Sequence, residues 1–253
     1  MSTAPPLSFD DAATVLRHIG GLKIVLVGGQ AVNYWANRYA PGVRALHAGM
    51  PFTSKDIDFH GLRREVEECA KRIGGKAILA SFDDHTPNSG VVMFTDSLGH
   101  ARKIDFLTSV AGVKDKEVMS TAVPFTVPGA KGEVRVMHPV LCLESRAHNV
   151  ARLPGYDTRQ GRKQLRAAIF CARAFIAETL AEDSPRSALK LSERIFKFCL
   201  TPVAISLALD KRIDVFRAVR PHRDLPLKFR RCRYLQMRVE IERARSRAAR
   251  RRR

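Results

Sequence analysis

Three short runs limit what this chain can fold into. Leu22–Val27 is apolar and β-rich, and it runs straight into Gly28-Gly29 and a helical pattern over 30–39. The run from Thr53 to Phe59 reads Thr-Ser-Lys-Asp-Ile-Asp-Phe, and the run from Lys103 to Leu107 reads Lys-Ile-Asp-Phe-Leu. Alternation with period two puts Ile57 and Phe59 on one face of a strand and Asp56 and Asp58 on the other. Two carboxylates on one strand face, with no basic residue between them, repel each other. A hard divalent cation relieves that repulsion, and oxygen ligands on one edge suit Mg²⁺. If Asp105 lies on the adjacent strand, it completes a three-carboxylate site able to hold two ions. Taken singly, a Gly-Gly after a strand is an ordinary tight turn, and an Asp-x-Asp is an ordinary solvated edge. Their order along one chain is what gives them weight.

The surrounding pattern predicts an α/β (α+β) chain, with a small mixed sheet first and a mainly helical half after it. A helix over 9–19 is capped by Ser8 and ended by Gly20-Gly21. The strand over 22–27 leads to a helix over 30–39, which Pro41 stops. The segment 42–53, with Arg44, His47 and Gly49, is either a lid before the acid pair or a surface excursion. A strand over 55–60, a helix over 62–73 and a strand over 76–81 follow. Strands over 91–95 and 102–107 are joined by a hairpin turn at Asp96–His100. A helix over 113–122, a hairpin of 124–127 with 133–137, and a helix over 140–153 complete the first domain, 1–153. The Pro154-Gly155 turn marks the boundary. The second domain, 154–253, carries amphipathic helices over 158–182 and 185–200, a helical or nearly helical stretch over 203–219 and a basic helix from 228 onward.

Size and charge narrow the function. The 253 residues suffice for one large or two modest domains. No run of about 18 apolar residues predicts a membrane span, and Met1–Asp10 has no signal-peptide pattern. The cysteines at 69, 142, 171, 199 and 232 have no zinc spacing, which predicts reduced, mostly buried thiols in a cytoplasmic protein. The net charge is +19, and the segment from Asp210 to Arg253 holds 17 Lys/Arg against 5 Asp/Glu. Such a balance calls for a polyanionic partner such as RNA or DNA, or for an acidic protein. A solvated basic arm is the plainer alternative.

The ordered motifs Val27-Gly28-Gly29, Asp56-Ile57-Asp58 and Asp105 resemble the nucleotidyltransferase superfamily related to DNA polymerase β. Over roughly 20–110 the chain looks closest to the abortive-infection, toxin-type members. It departs from them in Gln30, where Ser or Thr is usual, and in the insertion Pro41–Pro51, which leaves Gly29 and Asp56 27 positions apart. The resemblance implies a Mg²⁺-dependent enzyme with two ions, Mn²⁺ being a substitute. Such an enzyme moves a nucleoside monophosphate from an NTP to an acceptor such as tRNA, and it acts as one half of a toxin–antitoxin pair. Asp56, Asp58 and Asp105 are then the metal ligands, with Asp105 as general base. Gly28 and Gly29 bring backbone N–H groups to phosphate at a helix start, and Thr53 and Ser54 add phosphate contacts. Lys103 either neutralises the leaving pyrophosphate or pairs an acid structurally. Arg146 stands where relatives present a Lys to the nucleotide, or is an ordinary exposed helical residue.

Two other classes compete. A nucleotidyltransferase fold without turnover binds nucleotide, nucleic acid or a partner protein; NTP-dependent transfer separates it from the enzyme. A metal-dependent glycosyltransferase also uses Asp-x-Asp, but it needs a larger nucleotide domain than the residues before the helical half supply. A dinucleotide-binding Rossmann domain lacks its Gly-x-Gly-x-x-Gly.

Overall fold

A computed structural model of the protein describes residues 5–7, 9–54, 56–81, 83–84, 86–96 and 98–252. The cap expected at Ser8 and the strand start expected at Lys55 lie outside the described residues. The chain forms two compact units. One gathers the residues up to Arg38 with Met50–Ser145, the other Tyr39–Gly49 with Arg146 onward.

The first unit is built on a mixed sheet. In chain order it has α1 (Phe9–Ile19), β1 (Val25–Val27), α2 (Gly28–Tyr39, all but its last residue), and, past α3 (Arg44–His47) in the other unit, β2 (Ile57–His60) and α4 (Arg63–Ile73). It continues with β3 (Lys76–Leu79), β4 (Asn88–Thr95), β5 (Ala101–Leu107), α5 (Asp115–Ser120), β6 (Val123–Phe125), β7 (Val134–Val136) and the first half of α6 (Pro139–Arg152). Among the described residues the strands make one seven-stranded sheet in the order β3-β4-β5-β2-β1-β7-β6. β2 runs parallel to β5 and β1 parallel to β7, and the other neighbours are antiparallel. The predicted mixed α/β architecture is therefore the observed one.

Alternation along β2 and β5 sorts the side chains as the sequence implied. Ile57, Phe59, Ile104 and Phe106 are buried, with the Phe59 and Phe106 rings 5.7 Å apart. Behind them α4 packs on β3 and β4 through Val66, Cys69 and Ala70, and Gly74 ends it in the left-handed conformation at φ 68°. Burial pushes the Cys69 thiol up to about 12, against the pull of Arg72, which makes it an inert core residue. Trp35 of α2 is buried and donates its indole N–H to the Met137 carbonyl at 2.9 Å, tying α2 to the strand end after β7. A further ion pair fixes the β4–β5 turn. Buried Arg102 donates to Asp96 at 2.7 Å and to the Pro5 carbonyl at 2.6 Å.

The second unit is helical: α3, the C-terminal half of α6, α7 (Arg159–Glu182), α8 (Pro185–Cys199), α9 (Pro202–Lys211) and α10 (Tyr234–Arg250). Hydroxyl caps start three of its helices. Thr158, Ser184 and Thr201 accept from the backbone N–H of Gly161, Ser187 and Ala204, and proline follows two of them at N1. Among the boundaries that differ from the sequence reading, two concern this unit. The helical stretch expected over 203–219 stops at Lys211, because Arg212 takes φ 53° and a 3₁₀ turn, Val215–Ala218, follows. The expected boundary at Pro154 falls inside the second unit, which begins within the unbroken helix α6.

Asp157 ties this unit together by accepting from Arg162 at 2.7 Å and from Lys211. The Arg162 hydrogen bond, then that of Lys211, holds its carboxyl well below the usual carboxylate range against partial burial. A depressed folded-state pKa stabilises above the unfolded value near pH 4, and that stability is lost as pH falls through the folded value. Asp157→Asn should therefore melt earlier at pH 7 and lose less of its remaining stability on acidification to pH 2 than the parent does. Equal acid sensitivity of the two proteins in thermal melts counts against this role.

Candidate active site

Register and backbone shape, taken together, build the site. Asp58 and Asp105 are direct partners across the parallel β2–β5 pair, so their side chains leave the same face of the sheet. Asp56 precedes β2 by one residue and is drawn to the same place by Lys103. The Lys103 ammonium donates to Asp105 Oδ2 at 2.9 Å and lies 3.6 Å from Asp56 Oδ2. Asp58 also acts on that ammonium through its charge. Partial burial lowers the pKa of Lys103, but the Asp105 hydrogen bond and the charges of Asp105, Asp56 and Asp58 outweigh it, so the net shift is upward.

The diglycine corner closes over this face. Val27 pairs with Asp58 across the antiparallel β1–β2 ladder, so the residue after Val27 passes over the carboxylate. That residue is Gly28, at φ 65°, and a Cβ on it would stand 1.9 Å from Asp58 Oδ2. Glycine is thus required both for its conformation and for its lack of a side chain. Gly28 and Gly29 open α2, whose first turn contains no acid, so the amides of a helix start lie beside the aspartates.

The remaining candidates divide. Ser54 makes a two-way backbone bridge with Leu7, at 2.8 and 2.9 Å, and Thr53 precedes it in the chain. Gln30 is buried and donates to the Leu7 carbonyl at 3.3 Å while accepting from Asn33 at 3.0 Å. Its long side chain thus braces the start of α2 against Leu7. Arg146 belongs to the second unit. The exposed alternative for it is corrected: it is buried, 3.4 Å from Gln164 Oε1, with its guanidinium 5.7 Å from the Tyr156 ring centre, because the helix face that carries it turns inward.

Asn88 is a site residue that sequence reasoning missed. A register shift between Asn88 and Gly90 places Asn88 opposite Leu107, two residues beyond Asp105 on the same face. The bulge turns the amide onto the site, where Nδ2 donates to Asp105 Oδ1 at 3.4 Å. Its only trace in the sequence is Asn-Ser-Gly entering an apolar strand, too common a run to single out.

The donor set is all oxygen. The Lys103 ammonium lies 2.9 Å from Asp105 and 3.6 Å from Asp56 and feels the charge of Asp58, and carboxylate oxygens so gathered are the donors a hard cation prefers. Among the described residues no three Asp, Glu, His or Cys side chains are grouped so as to hold a metal ion as they stand.

No protein-family model matches the sequence, and no curated protein matches it. Among solved structures the chain is similar to the crystal structure of JHP933 from Helicobacter pylori, at 14% identity and a TM-score of 0.35, covering 96% of this chain and 92% of that one. Among the described residues no helix is long and apolar enough to cross a membrane.

Proposed function

We propose that the protein is a nucleotidyltransferase that moves a nucleoside monophosphate from an NTP to an acceptor hydroxyl, with RNA as the acceptor class that its charge favours. One observation carries the reading: aspartates from two parallel strands meet on one sheet face, beside the Lys103 ammonium, under a glycine corner that opens a helix. Asp56, Asp58 and Asp105 would hold Mg²⁺ or Mn²⁺, which supplies Lewis acidity at the triphosphate and acidifies the acceptor hydroxyl. The protein's own groups do the rest. Amides at Gly28 and Gly29 receive phosphate oxygens. Asp105 accepts the proton of the acceptor hydroxyl as its oxygen bonds to the α-phosphorus. The bond from the α-phosphorus to the bridging oxygen breaks, and pyrophosphate leaves with the electron pair toward Lys103.

Basic charge in the second unit supports a nucleic-acid acceptor. Asp210, Asp214, Glu240 and Glu242 are each engaged by an arginine of α10 or its flanks. Arg238, Arg243, Arg247 and Arg250 are exposed on α10 beyond them, a phosphate-binding composition that ignores sequence. A cognate acidic antitoxin would meet the same face. The reading is tested by incubating the protein with each labelled NTP, Mg²⁺ and total RNA. Label in RNA is the expected result. No transfer from any NTP to RNA or protein would leave the binding-only alternative.

A further inference from the structure

The geometry points to Lys103 as a tethered counter-ion that a divalent cation must displace, so that this one side chain sets how tightly the site takes metal. The inference rests on the nucleotidyltransferase reading and deepens it. Asp105 is nearly buried, its side chain 11% exposed, and a carboxylate so placed needs a standing counter-charge. Lys103 supplies it from two residues away on the same strand, touching Asp105 and bridging toward Asp56. The position between these two carboxylates is also where a cation shared by them belongs. Mg²⁺ bonds oxygen at about 2.1 Å, so an ion seated between Asp105 and Asp56 takes the place that the Lys103 ammonium holds.

The exchange is built to be easy. The Lys103 side chain is 45% exposed, and an ammonium on a flexible four-carbon stem regains its hydration when it swings outward. Meanwhile the Asn88 amide keeps hold of the other oxygen, Oδ1, so the Asp105 carboxylate stays in place while its cation changes. The displaced ammonium remains tethered beside the site, within reach of the phosphates of an incoming nucleotide. Metal entry and the arming of a phosphate contact are then one event.

The test is metal binding without nucleotide, measured by calorimetry with Mn²⁺ alone on the full chain. Lys103→Met keeps the stem and removes the charge. It should bind Mn²⁺ about tenfold tighter or more, since a unit charge a few ångströms away no longer opposes the ion. Lys103→Gln should do the same, and Lys103→Arg should stay within a few-fold of the parent. In transfer assays Lys103→Met should raise the KM for NTP even though its metal affinity is higher. If the parent binds Mn²⁺ and both neutral variants, shown folded by circular dichroism, bind it equally or more weakly, the counter-ion role is overturned and the site reading survives. If neither the parent nor any variant binds Mn²⁺, the site reading falls and this inference falls with it.

Discussion

Asp105→Asn should lower NMP transfer about a thousandfold and leave the fold intact. The magnitude is that of a lost general base, about 10²–10⁴, with a share from weakened metal binding. The amide keeps the shape of the carboxylate, so packing against β2 and β4 is unchanged. What changes is charge and proton affinity. Asp105 accepts from Lys103 on Oδ2 at 2.9 Å and from Asn88 on Oδ1 at 3.4 Å, so its carboxylate faces the site before any ligand arrives. The loss should appear in kcat, because the phosphate contacts at the diglycine corner remain. Single-turnover assays on parent and variant, with unfolding curves to confirm equal stability, decide the matter. A variant within about threefold of the parent would remove Asp105 from the chemistry.

Much of this site can be read from the sequence because its parts are local. Period-two alternation predicts that Asp58 leaves the face opposite Ile57 and Phe59. The β-rich run before Gly28-Gly29 fixes the corner. That Asp58 and Asp105 stand side by side is another matter. It depends on β5 pairing in parallel with β2 across the intervening α4, β3 and β4, and no local pattern encodes that register. Asn88 is invisible for a similar reason, since a one-residue bulge decides which face its amide takes. Arg146 shows the reverse failure: helical spacing gives an arginine a face, but only packing shows that the face is buried. In the second unit the Ser-Pro and Thr-Pro caps announce α8 and α9. The stop after Lys211 does not announce itself, because an arginine supplies the left-handed residue that sequence reasoning expects of glycine.

Gly28→Ala should damage fold and function together, and the two losses can be separated. An alanine at φ 65° costs about 1–2 kcal/mol for its left-handed backbone alone. Its Cβ would also stand 1.9 Å from Asp58 Oδ2, far inside contact distance. Either the carboxylate rotates away from the site or β1 and β2 separate, which brings the expected loss to roughly 3 kcal/mol. Gly99→Ala serves as the reference: its φ is 82° but nothing lies within 4 Å of its Cβ, so it carries the backbone cost without the overlap. Both residues lie in the first unit, as does the single tryptophan, buried Trp35. Its fluorescence during urea unfolding therefore reports both variants on one scale. Adding Asp58→Ala to Gly28→Ala should return stability to about the Gly99→Ala level while transfer stays lost. That non-additivity is the mark of two groups in direct contact. If Gly28→Ala unfolds no more easily than Gly99→Ala and transfers at the parent rate, the corner does not press on Asp58. The close approach of β1 to the acidic strand would then have no part in shaping the site.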